Sequence, residues 1–367
     1  MIRVGLVGLG FIGRIHLARY LDSEKAELVA VADLEVERLK KETAGSNPDP
    51  RLPPLSIPDG VARFTTLDDM LSGRDTSGRR NTSEGVELDV VDICLPTFLH
   101  APSTVKAAQA GKHVLCEKPM ALTVAECQTM IDAARANGVQ LMIAQCLRFF
   151  PEYVYLKEIC DSQRLGWLQS LTMRRLAAPP LWSWQSWLLD AQRSGGTIVD
   201  LHVHDVDFIN FLLGPPRAVF AQGIAQGITG GIDVVVGNFL YPGMKVTAEA
   251  GWMRAPGFRT HHSYEALFER GLVRMAPDQQ ERLMVYEEDK EPYAPRLNGP
   301  DGYTAEIEFF LECLAEERDV AATFPPESPM TSIQMVLLEK ESIARGEIVP
   351  FDHSEQNCDR PPARQIA

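Results

Sequence analysis

The sequence predicts a two-part α/β chain: first a parallel sheet of alternating strands and helices, then a mostly antiparallel sheet covered by helices. Three observations predict it. Apolar runs alternate with helical patterns over residues 1–120. A glycine turn, Gly8-Leu9-Gly10-Phe11-Ile12-Gly13, lies between the first run and the first helix. After about residue 150 the strands become longer and alternate in polarity, as expected when one sheet face is buried and the other is not.

The elements follow in order. Ile2-Arg3-Val4-Gly5-Leu6-Val7 reads as a strand, 11–22 as a helix and 27–32 as a strand closed by Asp33. Residues 34–44 read as helical. The proline-rich stretch 45–60 reads as an inserted loop. A short strand at Phe64 leads to a helix opened by Thr66 or Leu67, and 72–85 is a second, polar insertion. Val90–Leu95 is a strand stopped by Pro96. Helix 101–110 ends at Gly111, and strand 113–116 runs into Glu117-Lys118-Pro119. Thr123 and Glu126 make a capping box for helix 123–137, which Gly138 terminates before strand 139–144. In the second part, strands are expected at 168–176, 217–225, 232–241, 244–253, 263–268 and 271–275, and helices at 151–161, 195–213, 303–317 and 330–345. The tail 352–367 is polar. The expected division is therefore 1–122, 123–351 and the tail.

Composition narrows the function classes. Lys plus Arg total 36 against 50 for Asp plus Glu, a net charge of −14, which argues against a nucleic-acid surface or an anionic membrane as partner. Hydrophobic content of 45% is that of an ordinary globular protein, and no apolar stretch approaches a membrane span. The first strand begins at residue 2, which leaves no room for a secretory leader. Seven scattered cysteines without a C-x-x-C fit reduced thiols, so a cytoplasmic location is expected.

The glycine turn has a strand before it, a helix after it and an acid twenty residues beyond Gly13. That is the order of a Rossmann dinucleotide-binding unit. Gly8 permits the tight turn, Gly10 leaves the backbone open to a pyrophosphate, and Gly13 lets the helix approach the sheet. The helix N-terminus then faces the phosphates. Asp33 would accept from a ribose 2′-OH and repel a 2′-phosphate, which favours NAD over NADP.

Two segments carry reactive side chains. Lys118 lies at the carboxyl end of a parallel strand, the edge where open α/β sheets bind ligands. A lysine there can hold a substrate hydroxyl and stabilise a developing alkoxide. In Gly195-Gly196-Thr197-Ile198-Val199-Asp200-Leu201-His202-Val203-His204-Asp205, Asp200 and His204 are four residues apart and share a face if the segment is helical. A carboxylate beside an imidazole orients the ring and stabilises its charged form, as a general base requires. His202 and His204, two apart, point to different sides of a helix, so no metal site is expected. Trp182, Trp184 and Trp187 cluster just upstream, and such rings line sugar pockets or simply pack.

With these residues in view, the chain resembles the glucose–fructose oxidoreductase/inositol dehydrogenase (Gfo/Idh/MocA) family over nearly its whole length. The resemblance rests on Gly8–Gly13, Asp33, Pro96-Thr97…His100, Glu117-Lys118-Pro119, Arg148-Phe149…Pro151 and Gly195-Gly196…Asp200…His204-Asp205. Cys146 departs from it, standing where the family often has Asn. The resemblance implies a Rossmann domain that binds NAD and an α+β domain with a large open sheet that often builds dimers or tetramers. It implies a sugar, inositol or related polyol as substrate. It implies cofactor contacts from Gly8, Gly10, Phe11, Ile12, Gly13, Asp33, Leu95, Pro96, Thr97, His100, Glu117 and Lys118. Lys118, Asp200 and His204 match the family's catalytic positions, with Arg148 and Trp184 joining them at the substrate. The competing expectations are a redox-neutral enzyme that recycles a bound NAD and a non-catalytic NAD sensor.

Overall fold

The computed structural model describes residues 1–40, 56–73, 86–255, 257–277 and 281–352. Most of the 45–60 insertion, nearly all of 72–85 and all but the first residue of the 352–367 tail lie outside the described residues. In chain order the main elements are β1 Ile2–Val7, α1 Phe11–Asp22, β2 Ala26–Ala32, β3 Ala62–Phe64, α2 Leu67–Ser72, β4 Val90–Ile93, α3 His100–Gln109, β5 His113–Glu117, α4 Val124–Ala136 and β6 Leu141–Ala144. They continue as α5 Pro151–Ser162, β7 Leu168–Ala177, α6 Ala191–Ser194, α7 Thr197–Asp200, α8 Val203–Leu213, β8 Ala218–Ile224, β9 Val234–Tyr241, β10 Met244–Trp252, β11 His261–Phe268, β12 Gly271–Met275 and β13 Leu283–Glu287. The last are α9 Gly302–Ala315, α10 Glu327–Arg345 and β14 Val349–Pro350.

The first compact unit comprises Met1–Cys146, Leu181–Trp187 and Asp301–Met330. Its six strands lie in the order β3-β2-β1-β4-β5-β6, all parallel, so the order reverses between β1 and β4. Ligands of such sheets bind outside the strand ends at that reversal. Val4, Leu6, Val90, Val91, Ile93, Val114 and Leu115 are fully buried, which explains why these strands read as unbroken apolar runs. Local signals placed the starts of α2 and α4. The Thr66 side chain caps α2 by accepting from Asp69 N, and Thr123 caps α4 by accepting from Glu126 N.

The expected boundary at residue 122 is corrected, because β6 pairs with β5 and completes the first sheet. The first unit also gains α9, which follows the second sheet in sequence. Residues 36–39 form a single 3₁₀ turn, and of the helix expected over 34–44 the residues from 41 onward lie outside the described ones.

The second unit comprises Leu147–Pro180, Leu188–Pro300 and the residues from Thr331. Its eight strands lie in the order β13-β12-β11-β7-β10-β9-β8-β14. Every pair is antiparallel except β10 with β7. The mostly antiparallel expectation therefore holds, with one parallel pair at the centre. β9 and β10 join through the expected turn, where Gly243 takes a φ of +65°. Along β7, Leu171 and Met173 are buried while Thr172 and Arg174 are exposed. Val236, Leu240 and Leu267 are large apolar side chains on the open side. β13 and β14 were not read from the sequence; the two residues of β14 are too few to show a period.

The continuous helix expected over 195–213 is instead broken into pieces. Gly195 caps α6 at φ +79°, α7 covers Thr197–Asp200, and α8 restarts at Val203. His202 N bonds Thr197 O at 2.9 Å, five residues back, which widens the turn between α7 and α8. Among the described residues no helix is long and apolar enough to cross a membrane.

Candidate active site

In the first unit the glycine turn does what its residue types permit. Gly8 has φ +95°, and a Cβ there would sit 2.4 Å from Cys94 O. A Cβ on Gly13 would sit 1.8 Å from Gly8 O, so α1 can cross the turn only without one. Gly10 is different: no atom lies within 4 Å of where its Cβ would be, so internal packing does not explain the glycine. No side chain caps the α1 N-terminus that it opens. Asp33 is buried at the end of β2. Its Oδ2 accepts from Leu9 N at 2.7 Å and its Oδ1 from Glu35 N at 2.7 Å, and Arg38 Nη1 lies 3.3 Å from Oδ2. These bonds tie the acid to the glycine turn. The turn, the uncapped helix and the anchored acid fit the pyrophosphate and ribose of NAD.

The segment 181–187 also belongs to this unit. Trp182 stacks on Phe11 with ring centroids 4.8 Å apart. Trp184 Nε1 donates to Glu35 Oε1 at 2.8 Å, two residues past Asp33. Trp184 was expected at the substrate; the structure places it against Glu35 of the first unit.

Lys118 is half-buried beyond β5, and its peptide bond to Pro119 is cis. The His100 ring links two of the predicted loops, with Nε2 2.7 Å from Leu95 O and Nδ1 2.8 Å from Pro119 O. Burial lowers its basicity. Thr97 is buried and opens the short turn after Pro96.

Behind Lys118 lies a buried set of charges that the sequence reading missed. Lys118 N donates to Glu117 Oε2 at 3.0 Å. Glu117 Oε1 is 3.2 Å from His16 Nε2, and His16 Nδ1 is 2.7 Å from Asp92 Oδ2. Glu306 of α9 completes the set. Donor atoms of His16, Glu117 and Glu306 lie within 4.8 Å of one another, as do those of His16, Asp92 and Cys94. In both groupings the imidazole is already engaged with carboxylates. Burial disfavours a charge on this ring, but the adjoining Cys94 sulfur and Asp92 carboxylate outweigh it and raise His16 well above the ordinary imidazole value. One signal was available: His16 falls on α1 three residues after Gly13, on the side that faces the sheet.

In the second unit, Asp200 ends α7 and is buried, and His204 lies in the first turn of α8 and is half-buried. The residues around them are firmly held. His202 Nε2 is 3.0 Å from Glu339 Oε1 with both side chains fully buried. Asp205 receives a two-pronged bond from Arg175 at 3.0 and 2.8 Å. Asp207 receives another from Arg148 at 2.8 and 2.7 Å, and Ser332 Oγ donates to it at 2.8 Å. Arg148 was expected at the substrate. Its guanidinium is buried against Asp207 and lies over the Phe211 ring, 5.0 Å from the centroid.

Residues 2–145 match the model of an oxidoreductase family with an NAD-binding Rossmann fold, GFO_IDH_MocA, and residues 153–274 match a GFO/IDH/MocA C-terminal domain. The chain belongs to the GFO/IDH/MocA family. Its first unit is an NAD-binding Rossmann domain. Over 245 residues it is 29% identical to a myo-inositol 2-dehydrogenase of Thermotoga maritima, covering 64% of this chain and 63% of that protein. It is 30% identical over 224 residues to a levoglucosan dehydrogenase of Pseudarthrobacter phenanthrenivorans, covering 60% of this chain and 53% of that protein. The matched stretches thus span between half and two thirds of these relatives. A solved levoglucosan dehydrogenase, in complex with NADH and levoglucosan, shares the fold at a TM-score of 0.75 and 21% identity, over 95% of this chain and 99% of that one.

Proposed function

We propose that the protein is an NAD-dependent dehydrogenase or reductase acting on a secondary alcohol of a sugar, inositol or related polyol. The observation that carries the reading is the glycine turn tied through Leu9 N to Asp33, in a chain whose relatives include inositol and levoglucosan dehydrogenases. Bound NAD supplies the hydride acceptor. The α1 N-terminus and the turn hold its pyrophosphate, and Asp33 takes the ribose hydroxyls. Lys118 holds the reacting oxygen through its ammonium and stabilises negative charge there. The His204 imidazole takes the hydroxyl proton during oxidation and returns it during reduction, and Asp200 orients that ring. A cytoplasmic homodimer or homotetramer assembled through the open sheet face completes the reading.

The experiment is NADH formation by purified protein with NAD or NADP and a panel of inositols, aldoses and anhydrosugars. A substrate-dependent rise with NAD supports the reading, and none in protein shown to bind NAD overturns it. Lys118→Ala should lower kcat by orders of magnitude with NAD affinity nearly intact; normal turnover would remove Lys118 from its role. His204→Ala should abolish the acid-side limb of the kcat/KM profile.

In a second reading, Trp182, stacked on Phe11 of the glycine turn, covers the dinucleotide, which stays bound and is recycled within one redox-neutral turnover. Product formation without free NADH, from protein purified with NAD attached, would favour it.

A further inference from the structure

Four ionisable side chains meet inside the first unit, and only one of them is a base. Asp92 and Glu306 are fully buried, Glu117 is 5% exposed and His16 is fully buried. If all were ionised, one imidazolium would face three carboxylates away from water. Like charges so placed cannot all persist, and one carboxyl keeps its proton. The hydrogen bonds identify which. Asp92 bonds His16 Nδ1, and Glu117 accepts the Lys118 N–H and lies 3.2 Å from His16 Nε2, an ion-pair distance without a hydrogen bond. Glu306 has neither, and both of its buried oxygens lack a hydrogen-bond partner.

We propose that Glu306 sits in the folded protein as the neutral carboxylic acid, and that Glu306 and His16 are positioning residues that act on Lys118 by holding the Glu117 carboxylate. As an acid, Glu306 turns a proton rather than a second negative charge toward Glu117. An ionised Glu306 would compete with Glu117 for His16 and repel it. Glu117 would then shift, and with it the bond that fixes the Lys118 backbone. Burial first, and then the charge of Glu117, push the Glu306 carboxyl well above its usual range.

The charged groups that face this carboxyl come from three other elements and its own helix. They are His16 from α1, Asp92 from β4, Glu117 from β5, and Asp301, which caps α9 itself. Tyr20 and Tyr303 also border the set; burial holds the Tyr20 phenol, and the Cys146 sulfur and then burial hold the Tyr303 phenol, well above the ordinary value, so neither supplies a charge.

The proposal rests on the role given to Lys118 above, so its test has a readout independent of turnover. Infrared spectra of the full-length protein at about pH 8 should retain a carboxylic-acid carbonyl band, since an ordinary glutamate is ionised there. The band should vanish in Glu306→Gln and survive in Lys118→Ala. Kinetically, Glu306→Ala should lower kcat about tenfold at an unchanged KM for NAD, and the neutral isostere Glu306→Gln should recover most of it. Absence of the band from the wild-type protein overturns the proposal. So does a Glu306→Gln enzyme as slow as Glu306→Ala, or stoichiometric zinc in the purified protein, which would mean that a cation neutralises the set. A normal Lys118→Ala enzyme with the band intact overturns the Lys118 role and leaves the neutral acid standing.

Discussion

Gly13 and Gly10 show how the same residue type serves opposite needs. At Gly13 a methyl group would meet the backbone oxygen of Gly8 at 1.8 Å, and backbone cannot yield as a side-chain tip can. Gly13→Ala should therefore cost roughly 1–3 kcal/mol and weaken NAD binding as α1 is displaced. Calorimetry and NAD titration check this, and a variant matching wild type in both would contradict the packing argument. Gly10→Ala meets nothing internal, so its effect should fall on NAD affinity with the melting temperature nearly unchanged. Asp33→Ala removes the acceptor from Leu9 N and Glu35 N and frees the Arg38 guanidinium. Cofactor choice should then move toward NADP, read as the ratio of the two dissociation constants. An unchanged ratio would take Asp33 out of the discrimination.

At the scale of the element, α8 is held by ion pairs more than its apolar stripe suggests. Asp205 and Asp207 each receive a buried arginine fork, from Arg175 and Arg148. A buried pair of this kind is costly to break from one side, because the remaining charge has no water to return to. Arg148→Ala should therefore lower stability by about 3–5 kcal/mol, measured by urea unfolding. A loss of less than about 1 kcal/mol would mean that Asp207 finds another partner. This places Arg148 as a brace for the helix that carries His204, a role the sequence pattern could not separate from a substrate contact. An arginine after a strand looks the same in one dimension whether it faces a cleft or an aspartate fifty-nine residues on.

For the whole molecule, the half-buried His262 and the buried Glu306 tilt stability in opposite directions with pH. Burial and then Arg175 lower His262 from the ordinary 6.5 to about 4. Below pH 6.5 the unfolded chain takes up a proton that the folded protein refuses, so this contribution is present above 6.5 and is lost as pH falls toward about 4. Glu306 is raised above 4.5, so the folded protein keeps a proton that the unfolded chain releases, and stability falls as pH rises from 4.5. His262→Gln should flatten the acid limb of a plot of melting temperature against pH, and Glu306→Gln the opposite one. Unaltered limbs would assign the pH response to other groups.

Much of this was legible in sequence because it is local. The glycine turn, the Thr66 and Thr123 caps and the strand runs of β1, β4 and β5 each depend on residues a few positions apart, and the acid stands only twenty residues past Gly13. Backbone sterics and period-two or period-3.6 burial act over that range. The break between α7 and α8 escaped because the apolar spacing of Val199, Val203 and Val206 reads as one continuous helix, and the backbone bond from His202 N to Thr197 O leaves no mark in that spacing. Tertiary structure alone decided that β6 and α9 complete the first unit, that Arg148 braces α8, and that Trp184 lies beside Glu35. It alone brought His16, Asp92, Glu117 and Glu306 together from four separate elements. Chain order carries no charge balance: whether a carboxyl is solvated, paired or forced to keep its proton depends on which neighbours the fold supplies and how much water it removes.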